Sequence, residues 1–320
     1  MNAPTIELVS VSKWYGEVLG LRDVSIALGP GVTGLLGPNG AGKSTFLKCI
    51  TGELRPSRGE VRLLGRRVPS LEMYRQLGCA PEIEVFFEEL TAREFVVALG
   101  EMSGLSRKDA GARAEVVLHE VGMSHALDRP IATYSKGMRQ RTKLAQALLH
   151  DPPVVLLDEP MTGLDPVGRA AMLEMIQKLG AQGRTVLVSS HILDEVESMT
   201  HAIVVLYQGQ LLAQGDLYAI RAMIDRHPHR LVIECDKPRV LAQALSRELS
   251  VSSLRFQGDA VLEVETHGPD ACYAAVPALA LREGVKLRSL RSPDDNLGAV
   301  FKYLTEDPRK VRAEAQGGPR

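Results

Sequence analysis

Cysteine is scarce and scattered. The four residues Cys49, Cys79, Cys235 and Cys272 stand far apart, with no CxxC pair. This excludes a disulfide framework or a thiolate metal centre as the organising device, and it reads as isolated thiols in a reducing cytosol. Long apolar runs are missing too. The longest, PVVLL at 153–157 and AIVVLY at 202–207, fall far short of the roughly 20 residues a membrane span needs, so the chain is expected not to cross a membrane itself. The opening MNAPTIELVS has neither a basic start nor an apolar stretch, so no secretory leader is expected. Charge of one sign is also lacking. The formal net charge is −1, and the acidic patches Glu82 to Glu89 and Asp194 to Glu197 are short, so no field favours nucleic acid. There is no internal repeat and no sustained heptad pattern.

What remains is an ordinary globular composition. The 320 residues are 45% hydrophobic and 24% charged, enough for a substantial core and for about two domains by length. Short segments rich in β-branched residues and broken by Gly, IELVSVSKWYG and LRDVSIAL, predict strands before residue 36. Thr91 with Glu94 forms a T-x-x-E helix start, and Ser106 with Asp109 a weaker one. A further helix is expected from Ser135 to His150, with Leu144, Ala147 and Leu148 on one face. PVVLLDEP and TVLVSSH have the continuous apolar character of strands buried on both faces of a parallel sheet. Asp165-Pro166 reads as a cap followed by Pro at the first helical position. AIVVLYQGQLLAQG predicts a hairpin turning at Gln208-Gly209. Strand and helix alternate to about residue 222, the pattern of an α/β fold with a parallel core sheet. After a linker around HPH at 227–229, the order strand, helix, strand, strand, helix, strand, helix suits a small ferredoxin-like α+β domain.

The sharpest motif is Gly37-Pro38-Asn39-Gly40-Ala41-Gly42-Lys43-Ser44-Thr45. It has the spacing G-x-x-x-x-G-K-[ST] between an apolar strand and a helix, and so predicts a nucleoside triphosphate site. Glycines let main-chain N–H groups converge on phosphate oxygens, and the helix that follows points its positive end there. Lys43 is expected to reach the β- and γ-phosphates, and the Ser44 hydroxyl to ligate Mg²⁺. Asp158 and Glu159 end the PVVLL run, where carboxylates of a parallel strand face the ligand crevice. Asp158 is placed to hold Mg²⁺ or its waters. Glu159 can act as general base or orient the attacking water. His191, at the end of TVLVSSH, could contact the γ-phosphate and that water.

Together these motifs identify a family resemblance. Tyr15-Gly16, GPNGAGKST, YSKGMRQR at 134–141, VVLLDEP, GLD at 163–165 and His191 occur in the order found in ATP-binding cassette (ABC) transporter ATPases, over residues 5 to about 220. The YSKGM form and the added C-terminal domain look most like the branch that powers bacterial export permeases. The resemblance implies a P-loop NTPase core with a parallel sheet, an antiparallel β-subdomain and a helical subdomain. The implied domains are an ATPase domain over 1–224, its helical subdomain at about 88–150, an accessory domain over 225–305 and a disordered tail over 306–320. It implies that two such domains, a homodimer or a pairing with a second ATPase subunit, sandwich ATP head to tail. Ser135, Lys136 and Gly137 of one subunit would then touch the γ-phosphate held by Lys43 of the other, and Asp165 would cross to the partner. Lys136 stands where many relatives have Gly. Tyr15 matches the aromatic that stacks on adenine, although Trp14 next to it could also offer a ring.

One position departs from the family pattern. Where relatives carry a Gln that contacts Mg²⁺ and the attacking water, this chain reads Ala80-Pro81-Glu82. Glu82 can still ligate Mg²⁺, but it adds negative charge and cannot donate a hydrogen bond when ionised. Phe86 and Phe87 in the loop that follows could be core residues, or they could line a groove for a permease helix. The implied function is ATP hydrolysis that drives a separate integral membrane permease, with the chain held at the cytoplasmic face of the membrane through that permease. A soluble cassette ATPase acting on ribosomes or DNA is the alternative; a single phosphate loop, the missing heptads and near-zero charge count against it. A nucleotide-binding regulator without turnover is disfavoured by Glu159.

Overall fold

The computed structural model describes residues 5–217, 220, 229–247 and 251–292. The chain divides into two compact units, Met1–Asp216 and Leu217–Arg320. The boundary expected at 224, most of the linker, the last expected helix and the tail at 306–320 lie outside the described residues.

The first unit contains two sheets. A six-stranded sheet has the order β10-β9-β3-β8-β7-β6. Its members are β3 (Gly31–Leu36), β6 (Leu77–Ala80), β7 (Val154–Asp158), β8 (Thr185–Ser190), β9 (Ala202–Tyr207) and β10 (Gln210–Asp216). All neighbours in it are parallel except the β9–β10 hairpin. The apolar runs sit centrally, and Val154, Val155, Leu156 and Leu157 are wholly buried, as a strand covered on both faces requires. An antiparallel sheet, order β2-β1-β4-β5, joins β1 (Ile6–Tyr15), β2 (Val18–Leu28), β4 (Arg58–Leu63) and β5 (Arg66–Arg67). Helix α1 (Lys43–Thr51) contributes Phe46, Leu47 and Ile50 to a single core shared with Ile6 and Leu8 of one sheet and Leu156 and Leu187 of the other.

A short helix α2 (Leu71–Tyr74) precedes β6. The helical segment then consists of α3 (Ala92–Met102), α4 (Arg107–Glu120) and α5 (Lys136–Leu148). The cap signals are realised as atoms: Thr91 and Glu94 form a reciprocal capping box, and the Ser106 hydroxyl accepts from the N–H of Asp109. Helix α5 ends at Leu148, two residues before the expected end, and Pro152 and Pro153 follow. Its last turns lie directly on β6. A Cβ added at Gly78 would come within 1.9 Å of the Ala147 carbonyl oxygen, so the strand can meet the helix backbone only where a side chain is absent. Helices α6 (Pro166–Ala181) and α7 (Leu193–Met199) complete the unit, with Asp165 capping α6 ahead of Pro at N1.

The second unit has the order β11 (His229–Cys235), α8 (Pro238–Leu245), β12 (Val251–Gln257), β13 (Val261–Thr266), α9 (Pro269–Arg282) and β14 (Leu287–Arg291). Its sheet order is β12-β13-β11-β14 with antiparallel neighbours, the ferredoxin-like arrangement. Leu231, Ile233, Cys235, Leu262 and Val264 bury one face against the two helices. Strand alternation turns Arg230, Glu234, Glu263 and Glu265 to the other face, where Arg230–Glu263, Arg255–Glu265 and Arg288–Glu234 form ion pairs.

The Gly78 contact generates a prediction. Gly78→Ala forces β6 and α5 apart and should destabilise the protein by about 1–3 kcal/mol, the usual cost of overpacking. Thermal or urea unfolding measures it, and an unchanged midpoint would refute the backbone contact.

Candidate functional site

The loop between β3 and α1 is shaped by its glycines. Gly42, at φ 102°, is the residue before α1, and a Cβ there would lie 2.7 Å from the Gly20 carbonyl oxygen. A Cβ on Gly37 would meet the Leu206 carbonyl oxygen at 2.6 Å. The chain therefore turns tightly enough to expose the N-terminal amides of α1, whose partial positive charge favours an anion. Lys43 is buried. Its ammonium donates to the Gly37 carbonyl at 2.6 Å and lies 3.3 Å from Glu159 Oε1.

The carboxylates are set by two adjacent parallel strands. Asp158 is the last residue of β7, and Glu159 follows in the left-handed region at φ 49°. Ser189 of β8 ties them together: its hydroxyl accepts the Glu159 N–H at 2.9 Å and donates to Asp158 Oδ1 at 2.5 Å. The second Glu159 oxygen, Oε2, meets His191 Nδ1 at 2.9 Å and the Thr162 hydroxyl at 3.5 Å. Burial pushes the Asp158 carboxyl above its usual pKa, the Ser189 hydrogen bond opposes this, and the Glu82 and Glu159 charges add to the upward shift. Ser189 and Thr162 escape sequence reasoning. The only trace of Ser189 is a small polar residue, wholly buried, at the end of an apolar strand.

Lys43, Asp158, Glu159, Thr162 and His191 line one open cleft of about 670 Å³, together with Tyr15, Pro38, Asn39, Gly40, Ala41, Gly42, Ser44, Thr45 and Glu82, while Ser189 lies behind them. That volume suits a ligand of nucleotide size. Gly37 stands behind the lining and holds Lys43. Tyr15 is 44% exposed and its hydroxyl is 3.2 Å from Thr45 Oγ1. Trp14 does not line the cleft; Arg58 lies 5.5 Å from its ring centre. Glu82 is exposed at the cleft edge.

Ser135, Lys136, Gly137 and Asp165 are not brought to this cleft. Ser135 caps α5, its hydroxyl accepting the Met138 N–H at 3.3 Å. Lys136 is exposed and pairs with Glu84 at 2.7 Å. Its side chain passes Gly163, where a Cβ would be 3.2 Å away, so the segments at 135–137 and 163–165 adjoin within one chain. Asp165 accepts the Gly168 N–H at 2.7 Å. Phe86 and Phe87 divide: Phe86 packs edge-on against Phe95 at 5.2 Å, while Phe87 is 64% exposed. Sequence reasoning also missed Lys143 of α5, which is buried and donates to the Glu82 carbonyl at 3.0 Å.

The residues fit a triphosphate: a loop with no room for a side chain at Gly37 or Gly42, helix amides and a buried ammonium converge on one cleft. They also fit a divalent ion bound with it. Ser44, Asp158 and Glu82 offer oxygen donors only, the set Mg²⁺ prefers. Among the described residues no group of three or more His, Cys, Asp or Glu could hold a metal alone, as suits an ion that takes most ligands from phosphate and water.

Known proteins resemble this chain in sequence and in fold. The family model for ABC transporters matches residues 21–162. An ABC transporter ATP-binding protein of Synechocystis sp. is 37% identical over 272 residues, 81% of this chain and 76% of that protein. The Nod factor export ATP-binding protein I of Bradyrhizobium diazoefficiens is 33% identical over 316 residues, 95% of this chain and 97% of the relative. Among solved structures, an ATP-binding subunit of an ABC transporter superposes with TM-score 0.62 at 34% identity, covering 69% of this chain and 93% of its own. A bacterial ABC transporter cassette solved as a dimer gives TM-score 0.61 at 25% identity, covering 66% and 98%. The chain belongs to the ATP-binding subunits of ABC transporters, ATPases whose hydrolysis is coupled to transport.

Proposed function

We propose that this chain energises an exporter, pairing with a second copy of itself or a related ATPase subunit and acting on a separate integral membrane permease. The observation that carries this reading is the division of the predicted site. Lys43, Glu159 and His191 meet in one cleft, whereas the serine-capped start of α5 stands outside it. The separation of the two halves within one chain supports a site completed against another chain's cleft.

The chemistry follows from the contacts. The phosphates occupy the loop at 37–45, and Lys43 exchanges the Gly37 carbonyl and Glu159 for phosphate oxygens. Glu159 is thereby freed to accept a proton from, or orient, the attacking water. His191 and Thr162 hold its carboxylate, and Ser189 fixes its main chain. Mg²⁺, held by Ser44 and Asp158 with Glu82 in reach, would neutralise charge on the phosphate oxygens. Tyr15 offers its ring to adenine. From the partner, Ser135, Lys136 and Gly137 supply a hydroxyl, helix amides and a cation to the γ-phosphate, and Asp165 borders them.

Relatives named for Nod factor export, aligned over 95% of this chain, support export as the direction. Membership of the ABC transporter ATP-binding subunits supports a separate permease and a place at its cytoplasmic face; no helix among the described residues is long and apolar enough to cross a membrane. Ile83, Val85 and Phe87 are 72%, 74% and 64% exposed. These exposed apolar side chains, interleaved with the glutamates of an acidic loop beside the cleft, suit a permease helix.

Three outcomes test the reading. Glu159→Gln should slow hydrolysis by about 10²- to 10⁴-fold and retain ATP in a dimer visible by gel filtration; a variant that stays monomeric with ATP speaks against the shared site. The specific ATPase rate of the unmutated chain should rise with its own concentration, and Ser135→Ala should depress it. A rate independent of concentration and of Ser135 removes the basis for pairing. Glu82→Gln should alter the Mg²⁺ concentration for half-maximal hydrolysis, and if neither that value nor the rate moves, Glu82 is not part of the metal site.

A further inference from the structure

Three cations follow one another along one face of α5 at helical spacing, Lys136, Arg139 and Lys143, and all three grip the loop after β6. Lys136 reaches Glu84 at 2.7 Å, and Arg139 forms a two-pronged pair with Glu88 at 2.8 and 2.7 Å. Lys143 differs in two ways. It is 3% exposed, and its ammonium donates to the main-chain carbonyl of Glu82 at 3.0 Å rather than to a carboxylate. A buried ammonium is costly unless nearby charge and hydrogen bonds offset its lost hydration. The carboxylates that act on it are Glu84, Asp158 and Glu82, and two of these, Asp158 and Glu82, line the nucleotide cleft.

The balance of charge around the cleft gives that arrangement a purpose. Glu82, Asp158 and Glu159 are three carboxylates lining a site for a polyanion, and Lys43 is the cation among the lining residues. Every added negative charge opposes a triphosphate, and in a partly buried site the opposition is felt at several ångströms. Lys143 places a second positive charge directly behind Glu82, where it is not itself part of the lining. Because α5 lies on β6 at Gly78, that charge is held at a fixed distance from the strand that delivers Glu82.

We propose that Lys143 is a positioning residue of the nucleotide cleft: it pins the main chain at Glu82 to α5 and supplies the counter-charge that lets a carboxylate stand at this corner of the site. The inference rests on the reading of the cleft as the ATP site. It predicts energetic coupling between positions 143 and 82, which a residue serving only to pack α5 lacks.

The test is equilibrium titration of a fluorescent ATP analogue into the full chain in EDTA, at low and at high ionic strength. The chains compared are the unmutated protein, Lys143→Met, Glu82→Gln and the double variant, with melting temperatures recorded for each. Lys143→Met should weaken binding by about five- to ten-fold at low salt, an interaction of the order expected for unit charges across a partly buried site, and by less at high salt. In the Glu82→Gln background the same change should cost less than about two-fold. Equal losses in both backgrounds, or no loss in either, overturn the proposal. If Lys143→Met alone does not fold, a folded double variant supports the proposal and an unfolded one overturns it. An unmutated chain that binds no nucleotide brings down the ATP reading as well, whereas equal losses bring down this inference alone.

Discussion

The site depends on a buried ion pair. Lys43 and Glu159 face each other at 3.3 Å, their side chains 8% and 7% exposed. Each makes the other's burial tolerable, and losing one would leave an uncompensated charge at a cost of about 3–5 kcal/mol. The pair also joins two elements that are distant in sequence, the first helix after β3 and the end of β7. The same contact that keeps the cleft folded holds, on the proposed reading, the cation for phosphate beside the carboxylate for the attacking water. In the proposed mechanism a phosphate oxygen takes the place of Glu159 at the ammonium, so that binding and activation of the carboxylate would be one exchange.

Around this pair the fold supplies constraint. Two parallel strands, β7 and β8, bring Asp158, Glu159, Ser189 and His191 to one edge. Ser189 serves both carboxylates through a single hydroxyl. Glu159 adopts a left-handed backbone at φ 49°, unusual for a residue with a side chain, and three hydrogen-bonding partners hold it there: the Ser189 hydroxyl on its N–H, and His191 and Thr162 on its carboxylate.

Features encoded by neighbouring residues were legible before any coordinates. The glycine loop, the capping residues Thr91, Ser106, Ser135 and Asp165, and the turn at Gln208-Gly209 each depend on a few adjacent positions. The α/β core and the ferredoxin-like order of the second unit were legible as well, because buried strands and amphipathic helices announce themselves by period. Contacts made across the fold were not. Lys143 reads as one more polar position on a helix until the loop at Glu82 is laid over it. The sequence favours Tyr15 and leaves Trp14 as a rival ring; strand alternation sends the two to opposite faces, and of the pair Tyr15 lines the cleft. Phe86 and Phe87 part in the same way, one inward and one to solvent.

The bare contact between Gly78 and Ala147 has a mechanical side. With no side chain between them, the end of α5 is seated on β6 as on a pivot, while Ser135 lies twelve residues away, about 18 Å at the helical rise. Rocking the helix by about 10° at that pivot would swing its far tip through roughly 3 Å and leave the seated end nearly still. Helix α5 is thus proportioned as a lever, its short end bearing on the strand that feeds the cleft and its long end carrying the Ser135 cap.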